Sequence, residues 1–172
     1  CLSRGLGDVY KRQAMRSKIT TLPLVLVACC VLLLADPPAV AQRAGEPVVV
    51  KSKNSFADTV SKLKSAIQQN QMMVLFEANH KNMMAMVGVE SKNSVTVLFG
   101  RPQMGAMLMG AEPKAALEMP MRIAVRELDN GEIVVIYYKP SYLLSHYKNA
   151  KLDPIGRQMD AMLQKLVDAA TK

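Results

Sequence analysis

Two polar side chains follow apolar segments of strand length, and they are the residues best placed for chemistry. His80 comes soon after residues 72–76, and Arg101 comes soon after residues 95–99. If the two segments are neighbouring parallel strands, both side chains open onto one edge of a sheet, where α/β ligand sites form. An imidazole and a guanidinium there can bind a carboxylate or a phosphate. We therefore predict a ligand site at His80 and Arg101.

The same residues also have a purely structural interpretation. His80 can cap a turn through a backbone carbonyl, and Arg101 can form an ion pair with Glu112 or Glu77. Tyr138 is one of four tyrosines near the end of the chain, which suit a pocket, a dimer interface or ordinary packing. Glu112 and Tyr138 complete the set of candidate ligand-binding residues.

The chain has 13 methionines, and two groups of them could be interpreted as metal ligands. Thioether sulfur and imidazole together suit Cu(I). The candidate Cu(I) ligands are His80, Met83, Met84 and Met86. The second group is Met104, Met107 and Met109, whose spacing partly matches the core positions of a helix. Because unbranched methionine often fills gaps in a core, packing is the main interpretation of both groups, and copper is the alternative.

No motif of a known catalytic class is present. The sequence lacks a nucleophile elbow, a zinc-protease helix motif, a glycine-rich phosphate loop and a dinucleotide fingerprint. The carboxylate pairs Glu112/Glu118 and Glu77/Glu90 fit a solvated surface better than acid–base catalysis. Only His80 and one other histidine could bind zinc. We expect a non-catalytic module that binds a small ligand or a protein without a cofactor, and a hydrolase is the third hypothesis.

Periodicity predicts the elements that carry these residues. Ser55 can cap a helix by accepting from the amide of Asp58, and the apolar stripe that follows has spacings of 4, 3 and 4. Asn70 is the expected left-handed residue at its end. The continuous apolar run 72–76 predicts a central strand covered on both faces. Residues 81–89 fit a short helix or an irregular connection.

The second half of the domain predicts two short helical pieces, a hairpin and a final helix. Pro113 suits the first turn of the second helical piece. Residues 121–126 alternate in polarity, and the turn 129–131 ends in a glycine, as tight hairpins require. Asp153 is the expected cap of the last helix. The element order predicts an α+β two-layer sandwich, with about five mixed strands and three to four helices on one side of the sheet.

The start of the chain predicts export. Residues 1–14 resemble a non-native leader, and residues 15–41 have the basic start, apolar run and small-x-small end of a signal peptide cleaved after Ala41. The apolar run is short for a membrane span of roughly 20 residues. Lipid attachment at Cys29 is the alternative. The remaining chain divides into a lead segment with a first strand, 42–54, and a single domain, 55–172. A periplasmic or secreted protein is therefore expected.

Charge and cysteine content narrow the function further. All three cysteines lie within residues 1–41, so residues 42–172 have no thiol for disulfides, catalysis or metal binding. The same residues keep 17 of the 22 cationic and 12 of the 14 carboxylate side chains, a net charge of +5. Because these charges are dispersed and no basic run alternates with aromatic residues, nucleic-acid binding is disfavoured.

Several separated passages in order resemble the domain-of-unknown-function 302 family (DUF 302), over roughly Ser55 to Tyr147. They are Asn79-His80, the turn 99–102, Leu108-Met109 with Ala111 and Pro113, the passage 115–120, and the ending with Tyr138, Pro140 and Tyr142-Leu143. The resemblance implies a compact α+β domain, often exported in bacteria, that forms a homodimer and has no established activity. The chain departs from the family pattern at Arg101 and at Ala106-Met107.

Overall fold

The computed structural model describes residues 45–172. The predicted leader, the signal peptide with its cleavage point and the lipid-attachment alternative at Cys29 all lie outside these residues. The described part is an α+β domain, as predicted, built on one five-stranded sheet of order β1-β5-β4-β3-β2. Every neighbouring pair of strands is antiparallel. The predicted mixture of parallel and antiparallel strands is therefore wrong.

Strands and helices follow one another along the chain in the order that the apolar patterns indicate. A 3₁₀ segment, Pro113–Glu118, follows the third helix, and Pro113 is its first residue, as expected. The strands are β1 (Val48–Lys51), β2 (Met73–Asn79), β3 (Ser94–Gly100), β4 (Met121–Glu127) and β5 (Ile133–Tyr137). The helices are α1 (Phe56–Gln69), α2 (His80–Ala85), α3 (Pro102–Ala111), α4 (Pro140–Ser145) and α5 (Leu152–Thr171).

The core lies between one face of the sheet and the two long helices. Side chains alternate across a strand, so Val97 and Phe99 of β3 and Ile123 of β4 all point to the same face, where each is fully buried. The α1 helix contacts β2, β3, β4 and α5, and α5 contacts β1 and α4. Helix faces carrying Leu63 and Leu166, also fully buried, close this layer. The two-layer arrangement agrees with the prediction.

Helix ends follow the sequence signals with two corrections. The Ser55 side chain accepts from the Asp58 amide at 3.1 Å, as predicted, and its hydroxyl donates to the Asp58 carboxylate at 2.6 Å. Asn70 is not left-handed, since its φ is −93°, and the following Gln71 takes that conformation with φ +57°. The last helix begins at Leu152, so Asp153 lies within its first turn instead of capping it.

The apolar run before His80 was predicted to be a central strand, and this prediction is wrong. The run lies in β2, at the edge of the sheet. Met73, Leu75 and Phe76 are between 51% and 61% exposed. A β-bulge between Val74 and Phe76 interrupts the pairing with β3. An apolar run of strand length is compatible with a strand buried on both faces and with an exposed edge strand. Here the strand lies at the edge of the sheet, and its apolar side chains are exposed.

The sheet face opposite the long helices is open over most of its area. Cross-strand register places Ala78, Thr96, Ala124, Ile136 and Val49 in one row across this face. Among the described elements, α2 contacts β3 at one corner of it. Within residues 45–172, no helix is both long enough and apolar enough to cross a membrane. The open face is therefore the surface on which side chains of the inner strands are accessible.

Candidate functional site

The structure separates the two residues that the sequence pairs. Because β2 and β3 are antiparallel, His80 follows the end of β2 that lies beside Val95, whereas Arg101 follows the opposite end of β3. The length of β3 between these ends is roughly 17 Å at about 3.4 Å per residue. The predicted common site of His80 and Arg101 depended on parallel strands, and the observed strand direction excludes it.

His80 instead belongs to a site on the open face. It is the first residue of α2, a helix capped by the Asn79 side chain, which accepts from the Asn82 amide at 3.0 Å. The imidazole Nε2 shares a hydrogen bond of 2.8 Å with the Thr96 hydroxyl on β3. This contact holds the ring over the open face of the sheet, where its position is set by both α2 and β3.

The imidazole lines a cavity of about 330 Å³, which we call the His80 cavity. Its floor is the open face of β3, β4 and β5, and its wall is α2 with the loop that follows. No carboxylate is present in its lining. The lining residues are His80, Met84, Ser91, Lys92, Ser94, Thr96, Ala124, Arg126 and Ile136. The cavity therefore combines several hydrogen-bond donors and two cations.

Among the described residues, two donors of the His80 cavity have no protein partner. The Ser91 hydroxyl is buried and forms no hydrogen bond within the described residues. Arg126 lies opposite Ser94 on β4 and takes part in none of the ion pairs of residues 45–172. A buried donor such as the Ser91 hydroxyl is normally satisfied. Arg126 is exposed, and a guanidinium is the side chain best suited to bidentate binding of a carboxylate or phosphate. The chemistry of these groups suits an anion.

The loop that forms the cavity wall is held in place by Asn93. Its side chain accepts from Lys81 Nζ at 3.2 Å and donates to the Glu127 carboxylate at 2.6 Å. The Glu127 amide also donates to the Asn93 carbonyl at 2.8 Å. Glu127 is engaged by Asn93, and alternation along β4 turns it to the other face from Arg126, so the two side chains form no ion pair within residues 45–172.

The other candidate residues lie elsewhere. Arg101 precedes α3 and forms an ion pair with neither Glu112 nor Glu77, since Glu77 pairs with Lys64 at 2.9 Å. The Glu112 carboxylate accepts from the Lys114 amide at 3.3 Å and from the Asn149 side chain at 3.4 Å. These contacts hold the segment after α3. Neither Arg101 nor Glu112 reaches the His80 cavity.

Tyr138 stands at the end of β5 in a row of rings. It is 43% exposed and stacks on Tyr142, with ring centroids 6.5 Å apart, and Tyr142 makes an edge contact with His146. Tyr147 donates to the Glu118 carboxylate at 3.0 Å, and burial together with this hydrogen bond raises the pKa of Tyr147. These contacts are ordinary packing of the α4 region, and they occur outside the His80 cavity.

The methionine groups differ in burial. Met104 is buried in the core, whereas Met107 and Met109 are exposed. Met83 and Met86 are 56% and 85% exposed, so core packing is wrong for the group on and after α2. Residues 45–172 contain no group of three or more His, Cys, Asp or Glu side chains that could hold a metal ion. Thioether ligands are a separate class, and the exposed Met83 and Met84 of α2 are accessible to a metal ion.

Sequence reasoning identified His80 but missed Arg126, Ser91 and Thr96. The alternating polarity of β4 predicts only that Arg126 faces away from the core, and it does not predict which residues lie near it. The one hint is that the polar start of β3 pairs with the end of β4, the first strand of the hairpin. Only the register Ser94 opposite Arg126 places that residue in the lining of the cavity that His80 also lines.

Comparisons with known proteins agree with this fold. Residues 48–170 match a family described as "Domain of unknown function DUF302". The crystal structure of an uncharacterized conserved DUF302 protein from Bacillus stearothermophilus superposes with a TM-score of 0.69. At 18% sequence identity, the match covers 74% of this chain and 99% of that chain. The structural likeness shows the same fold.

Three Brucella proteins are also similar in sequence, each 22% identical over 120 residues, or 70% of this chain. They include Fluoride-specific ion channel FluC 1 of Brucella suis biovar 1 (strain 1330) and Fluoride-specific ion channel FluC 2 of Brucella melitensis biotype 1 (strain ATCC 23456 / CCUG 17765 / NCTC 10094 / 16M). The match covers 45% and 42% of these two proteins. This chain therefore spans less than half the length of the Brucella proteins.

Proposed function

We propose, for a chain that belongs to the DUF302 family of domains of unknown function, a non-catalytic role: binding a small carboxylate or phosphate ligand in the His80 cavity. One observation carries the proposal. The Ser91 hydroxyl and Arg126, which have no partner within residues 45–172, line the same cavity as the imidazole that Thr96 holds in place. Three kinds of donor thus converge with no carboxylate among them.

The chemistry of the cavity suits recognition of an anion. Arg126 supplies two parallel N–H donors for two ligand oxygens, Ser91 supplies a third donor, and Lys92 adds positive charge. The volume of about 330 Å³ matches the lower part of the range of roughly 300 to 1,000 Å³ for small-molecule sites. Ala124 and Ile136 give the floor an apolar component. A small organic acid or phosphate fits this combination.

Catalysis has less support than binding. A serine nucleophile needs a base in hydrogen-bond contact, and the Ser91 hydroxyl has no partner within residues 45–172. The imidazole Nε2 is engaged with Thr96 instead. The arrangement therefore favours a binding module over the hydrolase hypothesis.

The test is calorimetric titration of the purified protein with inorganic phosphate, acetate and fluoride. Fluoride is included because the similar Brucella proteins are named fluoride-specific ion channels. We expect Arg126→Met and Ser91→Ala each to weaken the best-bound anion about tenfold or more, since a hydrogen bond to a charged group contributes roughly 1.5 to 3 kcal/mol.

Arg122→Met is the matched control, because Arg122 lies on the same strand and the same face but outside the lining of the His80 cavity. It removes the same charge and should leave binding unchanged. Equal binding by the wild type and by both cavity variants would rule out the site. Native mass spectrometry of the purified protein, before and after these substitutions, identifies any ligand that remains bound.

Cu(I) binding is the second candidate, supported by the position of Met84. This residue lies one helical turn after His80 and lines the same cavity. Met83 is its exposed neighbour on α2. Titration with Cu(I) against a competing chelator should give an affinity better than micromolar that falls in His80→Ala and Met84→Leu but not in Met107→Leu, an exposed methionine of α3. A micromolar or weaker wild-type affinity rejects copper binding.

The same proposal includes export and self-association. The signal-like pattern of residues 15–41 supports a periplasmic or secreted module, and the exposed apolar edge of β2 supports a homodimer. A protein partner in that compartment is the remaining alternative to a small ligand.

A further inference from the structure

We infer that a second site, at the other end of β3 from the His80 cavity, binds an amphiphile: an aliphatic chain that ends in a carboxylate. The site is a groove of about 470 Å³ between the start of β2 and α3. We call it the Arg101 groove. Its volume also falls within the range of roughly 300 to 1,000 Å³ of small-molecule sites.

The lining of the Arg101 groove is apolar with a single exception. Met73 and Leu75 contribute exposed side chains from β2, and Ala106 and Met109 contribute the facing surface of α3. Arg101 is the one lining residue with a charged or hydrogen-bonding side chain. Unbranched methionines can adapt their shape to a flexible chain, so the walls suit an aliphatic ligand.

The arginine itself lacks a partner in the part of the chain that the structure describes. Its Nε is buried and forms no hydrogen bond within residues 45–172, and the side chain forms no ion pair there. A buried N–H donor is normally satisfied, and an arginine beside apolar surface is completed by a carboxylate that accepts two of its hydrogen bonds. Charge complementarity thus selects an acid over an alcohol or a hydrocarbon as the occupant.

The inference does not depend on the proposed function. The two cavities share no lining residue, and they lie at opposite ends of β3. The expected ligands also differ in size, because the cavity volumes are about 330 Å³ and about 470 Å³. They differ in polarity because the His80 cavity is rich in polar side chains and the Arg101 groove is nearly all apolar. Each site can therefore fail its test while the other passes.

The test uses decanoate and decan-1-ol as probes, titrated into the purified protein below their aggregation concentrations. We expect saturable binding of decanoate and weaker binding of decanol. Arg101→Met should weaken decanoate at least tenfold and leave decanol unchanged, since it keeps the aliphatic stem and removes the guanidinium. Ala106→Phe should abolish binding of both probes by filling the groove from an exposed helix position.

Two controls keep the result specific. Arg157→Met removes the same charge from the exposed side of α5 and should bind both probes as the wild type does. Ser91→Ala should not change decanoate binding, and Arg101→Met should not change binding of phosphate. Circular dichroism of every variant checks that it is folded, and Arg101→Lys, which retains charge, should restore part of the decanoate affinity.

Several outcomes overturn the inference. They are absence of saturable decanoate binding, equal decanoate affinity in the wild type and Arg101→Met, and retained binding in folded Ala106→Phe. Sedimentation velocity on the same samples distinguishes another occupant. If Ala106→Phe changes the oligomeric state while decanoate fails to bind the wild type, the groove is an interface between copies of this chain and the amphiphile is rejected.

Discussion

At the residue scale, Gly156 shows how closely α4 and α5 approach. A Cβ atom at this position of α5 would lie 2.7 Å from Ser141 Cα and 3.3 Å from Ser141 N. One turn later, Asp160 accepts hydrogen bonds from the Ser141 amide and hydroxyl, which ties the start of α4 to α5. The absence of a side chain at Gly156 therefore permits a contact that holds the end of the chain on the core.

We predict opposite effects for two glycine-to-alanine substitutions in helices. Gly156→Ala should lower the free energy of unfolding by about 1 to 3 kcal/mol, because the clash is with backbone and costs as much as overpacking. Gly110→Ala in α3, with no atom within 4 Å of the new Cβ, should raise it by about 0.5 to 1 kcal/mol. Urea unfolding of both variants measures the difference, and stabilisation by Gly156→Ala would contradict the packing argument.

At the element scale, β2 is the edge strand that we expect to mediate assembly. Its outer edge has no strand partner in the described sheet, and Phe76 is 61% exposed. Register places Phe76 opposite Leu98, on the open face of the sheet, and it is not part of the Arg101 groove. An exposed apolar edge strand readily pairs with another chain, and this strand is the expected surface of the homodimer.

We predict that Phe76→Lys converts the dimer into a monomer. A lysine there places a charge at the apolar edge and opposes pairing with a second copy. Val49→Lys is the matched control, because Val49 is 55% exposed on the same face but lies in β1, at the other edge of the sheet. Sedimentation velocity over a range of concentrations measures the change. A monomeric wild type would show that the homodimer prediction is wrong, and dissociation by Val49→Lys alone would move the interface to β1.

At the scale of the whole molecule, we expect the domain and the segment before it to have separate roles. The family match covers residues 48–170, and the segment with signal-peptide character lies before it. The Bacillus stearothermophilus protein is matched over 99% of its length, so a domain of this extent forms nearly the whole of that solved chain. We expect the first residues of this chain to direct the domain to its compartment, as their signal-like pattern predicts.

We predict that a bacterial host exports the chain, expressed from Met15, and cleaves it after Ala41. The exported protein should begin at Gln42, because small residues at positions 39 and 41 satisfy signal peptidase. N-terminal sequencing after cell fractionation makes the measurement, and Ala41→Arg should block cleavage. Cys29→Ser should have no effect unless the protein is lipid-anchored. Intact residues 15–41 on a cytoplasmic protein would contradict export.

The sequence by itself determined much of the local structure and the fold class. The Ser55 cap depends on an amide three residues away, and the hairpin turn at residues 129–131 depends on its own backbone angles. The alternation of apolar and polar residues along β4 likewise predicted which of its side chains face the core. Each of these features follows from neighbours in the chain, so a single sequence contains the necessary information.

Only the tertiary structure decided which strands are neighbours, in which direction they run and which residues share a site. The same apolar run before His80 suits a central or an edge strand, and both directions are compatible with the residues that end it. The antiparallel pairing of β2 and β3 put Arg101 at a separate groove, and the register of β3 and β4 put Arg126 in the lining of the His80 cavity. Strand order and register arise from long-range packing of the two layers, which no local pattern of residues specifies.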